Sequence, residues 1–449
     1  KRSYEMDMCN GPLLGKILSY AIPLMLSGIL QLLFNAADVI VVGRFAGHES
    51  LAAVGSTTAL INLLINVFIG LSVGANVLVA QYFGAGKDQD VKDTVHTAVT
   101  ISLICGVALV VIGAAASKPL LVLMGTPDDV LDKSALYMRI YFVGMPVIML
   151  YNFGAAILRA IGDTERPLLF LILAGVVNVL LNLMFVIVFH MGVAGVALAT
   201  ALSQCISAVL VCRCLMKSSG SYRLELSELG INRRTLKRIA RIGLPAGFQG
   251  AVFSISNVLV QSSLNSFGSV AMAGSTAAGN LEGFVYNAMN AVYQTNLSFT
   301  SQNIGGGKFS RINRILFLCL GVVTAIGLIM GGGFVLMGTR LLGIYSSDPE
   351  VIQCGLKRLM MICGPYFICG WMDVLVGSLR GLGYAVMPML VSLTGACGLR
   401  VVWIMTVFQW HHSLETLYLA YPVTWFVTAM AHLCCFLIIR KRFPKTDRV

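Results

Sequence analysis

Charge is what this chain has least of. Only 12% of its 449 residues are charged, just 20 of them acidic, and 57% are hydrophobic. Ordinary soluble domains carry about 25% charged residues, and a mean hydropathy of +0.83 excludes that class. The apolar runs do not alternate with polar residues, which excludes a transmembrane β-barrel. There is no HExxH, and no nucleophile spaced with a base, so an intramembrane enzyme has nothing to work with. The twelve cysteines are scattered, mostly within apolar runs. Cys212 and Cys214 are too close for a structural zinc pair and lack a second pair. They read as small buried hydrophobes. His411 and His412 have no third ligand nearby.

Long hydrophobic runs are what the chain does have. Segments at 16–42, 51–83, 94–117, 134–157, 166–189, 193–216, 238–265, 270–302, 312–338, 352–378, 384–410 and 414–439 each provide the ~20 apolar residues a spanning helix needs. The first contains Pro23 and Asp38 and is too long for a signal-peptide core, so it reads as span one. With the N-terminus taken as inside, 24 Lys and Arg fall on the inner side and seven on the outer, with Arg400 inside a span. The positive-inside rule then places both termini in the cytoplasm. The net charge of +12 is a topology signal and gives no reason to expect nucleic acid as a partner.

The chain is also written twice. Pro23 and Asn35 return 222 residues later as Pro245 and Asn257. Gln81-x-x-Gly84-x-Gly86-Lys87 returns as Gln302-x-x-Gly305-x-Gly307-Lys308, and Leu158-Arg159-x-x-Gly162 as Leu379-Arg380-x-x-Gly383, both 221 on. These repeats predict an all-α polytopic membrane protein with twelve spans in two six-helix lobes, 1–217 and 236–449, joined by a cytoplasmic linker at 218–235. Six spans per lobe put the repeat axis, a pseudo-two-fold, along the membrane normal. Leu224, Leu226 and Leu229 with the basic residues that follow allow the linker to lie on anionic headgroups, although a solvated linker explains them as well. Prolines within spans, Pro23, Pro146, Pro245, Pro365 and Pro422, predict bends. Duplicated bundles of this kind point to a secondary transporter.

Four ionisable residues lie within spans, where charge is costly and usually functional: Asp38, Glu282, Asp373 and Arg400. Asp38 sits about 22 residues into span one, and its repeat mate is Val260. Asn178 and Asn182 in span five are one turn apart on one face, at comparable depth to Asp38. Counted from the outer ends of their spans, Glu282 and Arg400 share a depth and Asp373 lies deeper, so Arg400 is expected to pair with Glu282. Gln31, Asn35, Gln249, Asn257 and Gln261 are expected to line a wet cavity.

These marks together resemble the multidrug and toxic compound extrusion (MATE) family over about residues 11–440. Gly11-Pro-x-x-Gly-Lys16 with Ala21-Ile-Pro23-Leu is similar to its first helix, and Asn35-x-x-Asp38-x-x-x-x-Gly43-Arg44 to its helix-one signature. The resemblance implies alternating access, no cofactor, and export of small amphipathic organic cations driven by inward H⁺ or Na⁺. It also implies a monomer among membrane lipids, in a bacterial cytoplasmic membrane. In the family's DinF-like branch a helix-one Asp and a helix-five Asn…Asp pair form the coupling site. Asp38 and Asn178 match this, whereas Asn182 stands where an Asp is often found. A single carboxylate among amides still takes a proton or Na⁺, and Na⁺ at Asp38 is the one metal site left open. A lipid-linked oligosaccharide flippase of the same superfamily is the alternative, but a strongly cationic cavity is not in the sequence.

Overall fold

The computed structural model describes residues 3–123 and 125–449. Lys1 and Arg2, counted above with the inner cations, lie outside the described residues. No strand occurs among the described residues. In the order of the chain the long helices are α1 (Leu13–Phe45), α2 (His48–Gly84), α3 (Asp88–Leu123), α4 in two segments (Asp128–Val143 and Met145–Ala160), α5 (Glu165–Val188) and α6 (Val193–Met216). They continue as α7 (Arg233–Asn265), α8 (Ser269–Gly305), α9 (Phe309–Leu336), α10 in two segments (Pro349–Cys363 and Tyr366–Gly381), α11 (Val386–Trp410) and α12 (Leu414–Arg440).

Among the described residues, nine of these helices are long and apolar enough to cross a membrane, eleven when each segmented pair is one span. The twelfth, α8, is 37 residues long. Asn280, Glu282, Asn287, Asn290, Gln294, Asn296, Gln302 and Asn303 make it too polar for a hydropathy criterion. A helix so polar crosses hydrocarbon only when it is wrapped by other helices, which is how the described chain treats its C-terminal half: Asn296, Ser301, Gln302 and Asn303 are all buried.

Backbone geometry explains the repeated motifs. Both Gln-x-x-Gly-x-Gly-Lys runs are helix ends closed by the same bonds. Ala85, Gly86 and Lys87 donate their N–H groups to the carbonyls of Gln81, Phe83 and Tyr82. Gly306, Gly307 and Lys308 donate to Gln302, Ile304 and Asn303. Gly86 and Gly307 take φ of 70° and 71°, and Gly162 and Gly383 of the Leu-Arg-x-x-Gly turns take 97° and 98°. A left-handed residue after a helix is where glycine costs least, so the spacing survives in both halves. Of the prolines, Pro146 and Pro365 mark the two sharp breaks, of 50° in α4 and 41° in α10. Pro23 and Pro245 lie within the unbroken α1 and α7.

Packing divides the chain into two compact units, and the division falls within two of the long helices. One unit holds Ile29–Gly247 together with the stretch ending at Met6, and the other holds Asp7–Gly28 and Phe248–Val449. The reason is that α1 and α7 each run 33 residues and change neighbours halfway. In the second unit, the Tyr20 hydroxyl donates to Ser298 Oγ at 2.8 Å and its ring meets Phe299 edge-on. In the first unit the start of α7 lies directly on α2. A Cβ on Gly74 would come within 2.3 Å of the Ile239 carbonyl oxygen, and one on Gly70 within 2.4 Å of the Gly247 nitrogen.

The linker is pinned to α3 of its own unit. Tyr222 and Leu224 are buried, the Glu225 N–H donates to His96 Nε2, the Asn232 N–H donates to Thr97 Oγ1, and Lys92 pairs with Glu228 at 2.7 Å. Of the three leucines expected at the surface, Leu226 is 61% exposed while Leu224 is not. Lys92 holds the Glu228 carboxyl below its ordinary range.

Candidate functional site

In the first unit, helix packing sets the register of the acidic site. Gly175 of α5 accepts the ring of Phe34 from α1 so closely that a Cβ there would lie 2.0 Å from the ring. Asp38 is one turn beyond Phe34, and Asn178 and Asn182 are one and two turns beyond Gly175, so the three polar groups arrive on facing surfaces. Asn178 Nδ2 donates to Asp38 Oδ1 at 3.0 Å and Oδ2 at 3.3 Å, and Asn182 Nδ2 donates to Oδ1. Asn178 and Asn182 are buried and Asp38 is half-buried. The side-chain oxygens of both asparagines are buried with no hydrogen-bond partner among the described residues. A primary amide offers donors on one side and an acceptor on the other, so turning both over trades stabilisation of an anion for two oxygens toward a cation or an acid proton.

The second unit departs from the expected pairing. Glu282 is joined to Arg358, not to Arg400. Arg358 Nε donates to Glu282 Oε1 at 2.9 Å and Nη2 to Oε2 at 3.1 Å, while Nη1 donates to Ser275 Oγ at 2.6 Å. Depth counting compares only the residues within spans, and so selects Arg400 and passes over Arg358 near the start of α10. Successive residues on a helix point about 100° apart. Lys357 therefore turns outward to Glu415 while Arg358 turns inward to α8. Arg400 instead donates from Nη2 to Thr424 Oγ1 at 3.3 Å and lies 4.4 Å from the centre of the Tyr421 ring. With no carboxylate paired to it among the described residues, this buried guanidinium is held by a hydroxyl and a π-face.

Asp373 is half-buried on α10, and its Oδ2 has no partner among the described residues. Two turns along the same helix Arg380 is 6% exposed, with Nη1 donating to Tyr293 Oη at 2.7 Å and Nη2 to Gln249 Oε1 at 2.9 Å. In the sequence Arg380 stands only as part of a repeated motif, and its burial is a feature sequence reasoning missed. Gln249, expected at a cavity wall, is buried because it caps this guanidinium. Gln31 and Asn35 on α1 and Asn257 and Gln261 on α7 are exposed, with Gln261 bonded to Asn265 one turn on. His412 stacks on Phe267 at 4.7 Å, an aromatic contact. No group of three potential metal ligands from His, Cys, Asp or Glu occurs among the described residues.

The family model described as MatE matches residues 23–184 and 245–406, one copy in each half. The chain belongs to the MATE family of membrane transporters. Among its relatives, the probable multidrug resistance protein YoeA of Bacillus subtilis (strain 168) is 27% identical over 420 residues, covering 92% of this chain and 90% of YoeA. The probable multidrug resistance protein YpnP of the same organism is 26% identical and covers 88% of each chain. A solved outward-facing multidrug resistance MATE family transporter superposes with a TM-score of 0.91 at 22% identity, over 98% of this chain and 99% of that one. The MATE fold of this chain is therefore twelve helices in two lobes.

Proposed function

We propose that this MATE transporter is a secondary active exporter that moves amphipathic organic cations out of the cell by alternating access, in antiport with H⁺ or Na⁺. The observation that carries the reading is the carboxylate of Asp38 held by two amides from one face of α5. Asp38 has no acidic counterpart in the other half, so the shared architecture does not require it. A charge within a span is expensive, and binding a proton or Na⁺ removes that cost. The buried oxygens of Asn178 and Asn182 suit either cation, since both are hard and oxygen-seeking. Neutralising Asp38 frees α1 from its anion-specific bonds, a local charge change able to bias a two-state helix packing. The names of YoeA and YpnP support multidrug cargo. Glu282, Asp373 and Arg400 are proposed as supporting charges of the second lobe, and Gln31, Asn35, Asn257 and Gln261 as polar walls.

We further place both termini in the cytoplasm, with lobes 1–217 and 236–449 as the repeat units, in a monomer of the bacterial cytoplasmic membrane. The test is purified protein in liposomes with an imposed pH or Na⁺ gradient and a cationic fluorescent dye. Gradient-dependent dye movement is expected, lost in Asp38→Asn. Failure to move any cationic dye under either gradient, with scrambling of lipid-linked sugars instead, overturns the reading in favour of a flippase.

A further inference from the structure

One face of the first unit carries a groove that the transport reading does not use. It runs between the second segment of α4 and α6 and has a volume of about 440 Å³. Val147 and Leu150 form one wall, and Cys205, Ala208 and Cys212 the other. Arg213, in the last turn of α6, and Lys217, just beyond it, line the groove with the apolar stems of their side chains. The wall residues from α6 recur at three- and four-residue spacing, so one helical face lines the groove along its length. From Cys205 to Lys217 the rise is about 18 Å, against a hydrocarbon half-thickness of ~15 Å. Ala208 keeps the floor low: a larger side chain there would fill the channel.

Some cations of the same unit are already engaged. Lys92, Lys118, Lys133 and Arg166 each meet a carboxylate. Arg213 and Lys217 are exposed, four residues apart on one face, and neither has an ion pair or a side-chain hydrogen bond among the described residues. The C-terminal dipole of α6 favours cations in its last turn, but it does not account for an apolar channel leading to them.

We propose that this groove binds one anionic phospholipid, with an acyl chain laid against Val147, Leu150 and Ala208 and the phosphate held by Arg213 and Lys217. The helices that form it are membrane helices, so the apolar channel meets hydrocarbon. Its charged end falls at the helix terminus, where headgroups lie. Two unpaired cations complement a headgroup of net negative charge and gain little from a zwitterionic one. The site is independent of the coupling reading at Asp38.

The experiment is native mass spectrometry of the detergent-purified full chain with dioleoylphosphatidylglycerol or dioleoylphosphatidylcholine. Retention of one phosphatidylglycerol per chain is expected, in preference to phosphatidylcholine. The double substitution Arg213→Ala/Lys217→Ala should weaken binding by about thirtyfold, from two lost headgroup cations. Arg233→Ala/Arg234→Ala, which removes two exposed cations away from the groove, should leave it unchanged. A short-chain phosphatidylglycerol should bind more weakly than the dioleoyl lipid. Equal retention of phosphatidylcholine, an equal loss in the control variant, undiminished binding to the first variant, or displacement by inorganic phosphate would each overturn the assignment.

Discussion

The Glu282–Arg358 pair offers the sharpest test of how the second unit is held together. Its side chains are 6% and 16% exposed, its geometry is bidentate, and Ser275 takes a third guanidinium N–H. Glu282→Gln leaves a guanidinium buried between α8 and α10 without its counter-charge. Breaking such a pair from one side costs about 3–5 kcal/mol. For a cooperative unit of about 200 residues each kcal/mol moves the melting temperature by ~2–4 °C, so the lower bound is a drop of about 6 °C. Lys357 provides the control one residue away. Its bond to Glu415 joins side chains about half exposed, and Lys357→Met should cost at most ~1 kcal/mol. Removing both charges, with Glu282→Gln/Arg358→Met, should recover most of the loss, because no uncompensated ion remains. The assay is thermal unfolding in detergent followed by tryptophan fluorescence. A Glu282→Gln melting point no lower than that of Lys357→Met, or a double variant no better than the worse single one, refutes the argument.

Asp38→Asn should insert and melt normally while losing gradient-driven dye efflux. Full coupled transport at normal expression would move the coupling site to the Glu282/Asp373 lobe. Gly175→Leu should push the Phe34 ring away and separate Asp38 from α5, abolishing coupling at unchanged expression, and retention of gradient dependence would show that the register is not set there. Gly74→Ala places a methyl against backbone that cannot rotate away, so a loss in the upper part of ~1–3 kcal/mol is expected, read as a lower melting temperature. Cysteine labelling at Ser219 should require a membrane-permeant reagent in intact cells, and reaction with an impermeant one would reverse the proposed topology.

The fold was legible because its two loudest signals are physical necessities. Hydrocarbon demands long apolar helices, and the turns ending α2, α4, α8 and α10 demand glycine at fixed places, so length and punctuation survive in the sequence. The contact of Asp38 with Asn178 and Asn182 was legible for a similar reason: three costly polar groups at comparable depth need one another. What the sequence could not reveal was direction around a helix. Lys357 and Arg358 look alike in a charge count, yet one faces Glu415 and the other Glu282, and a π-helical turn at Leu359–Cys363 and a 41° break follow at once. Depth arithmetic treats a helix as a straight ruler and fails at such a break. Arg380 escaped notice for the opposite reason, since its repeated motif explained the turn so well that its guanidinium seemed spare. Burial against Gln249 and Tyr293 shows that one residue there serves both the helix end and the interior. A span whose ionisable groups sit beside a proline break or a conformationally required glycine should therefore be read by helical face before depth.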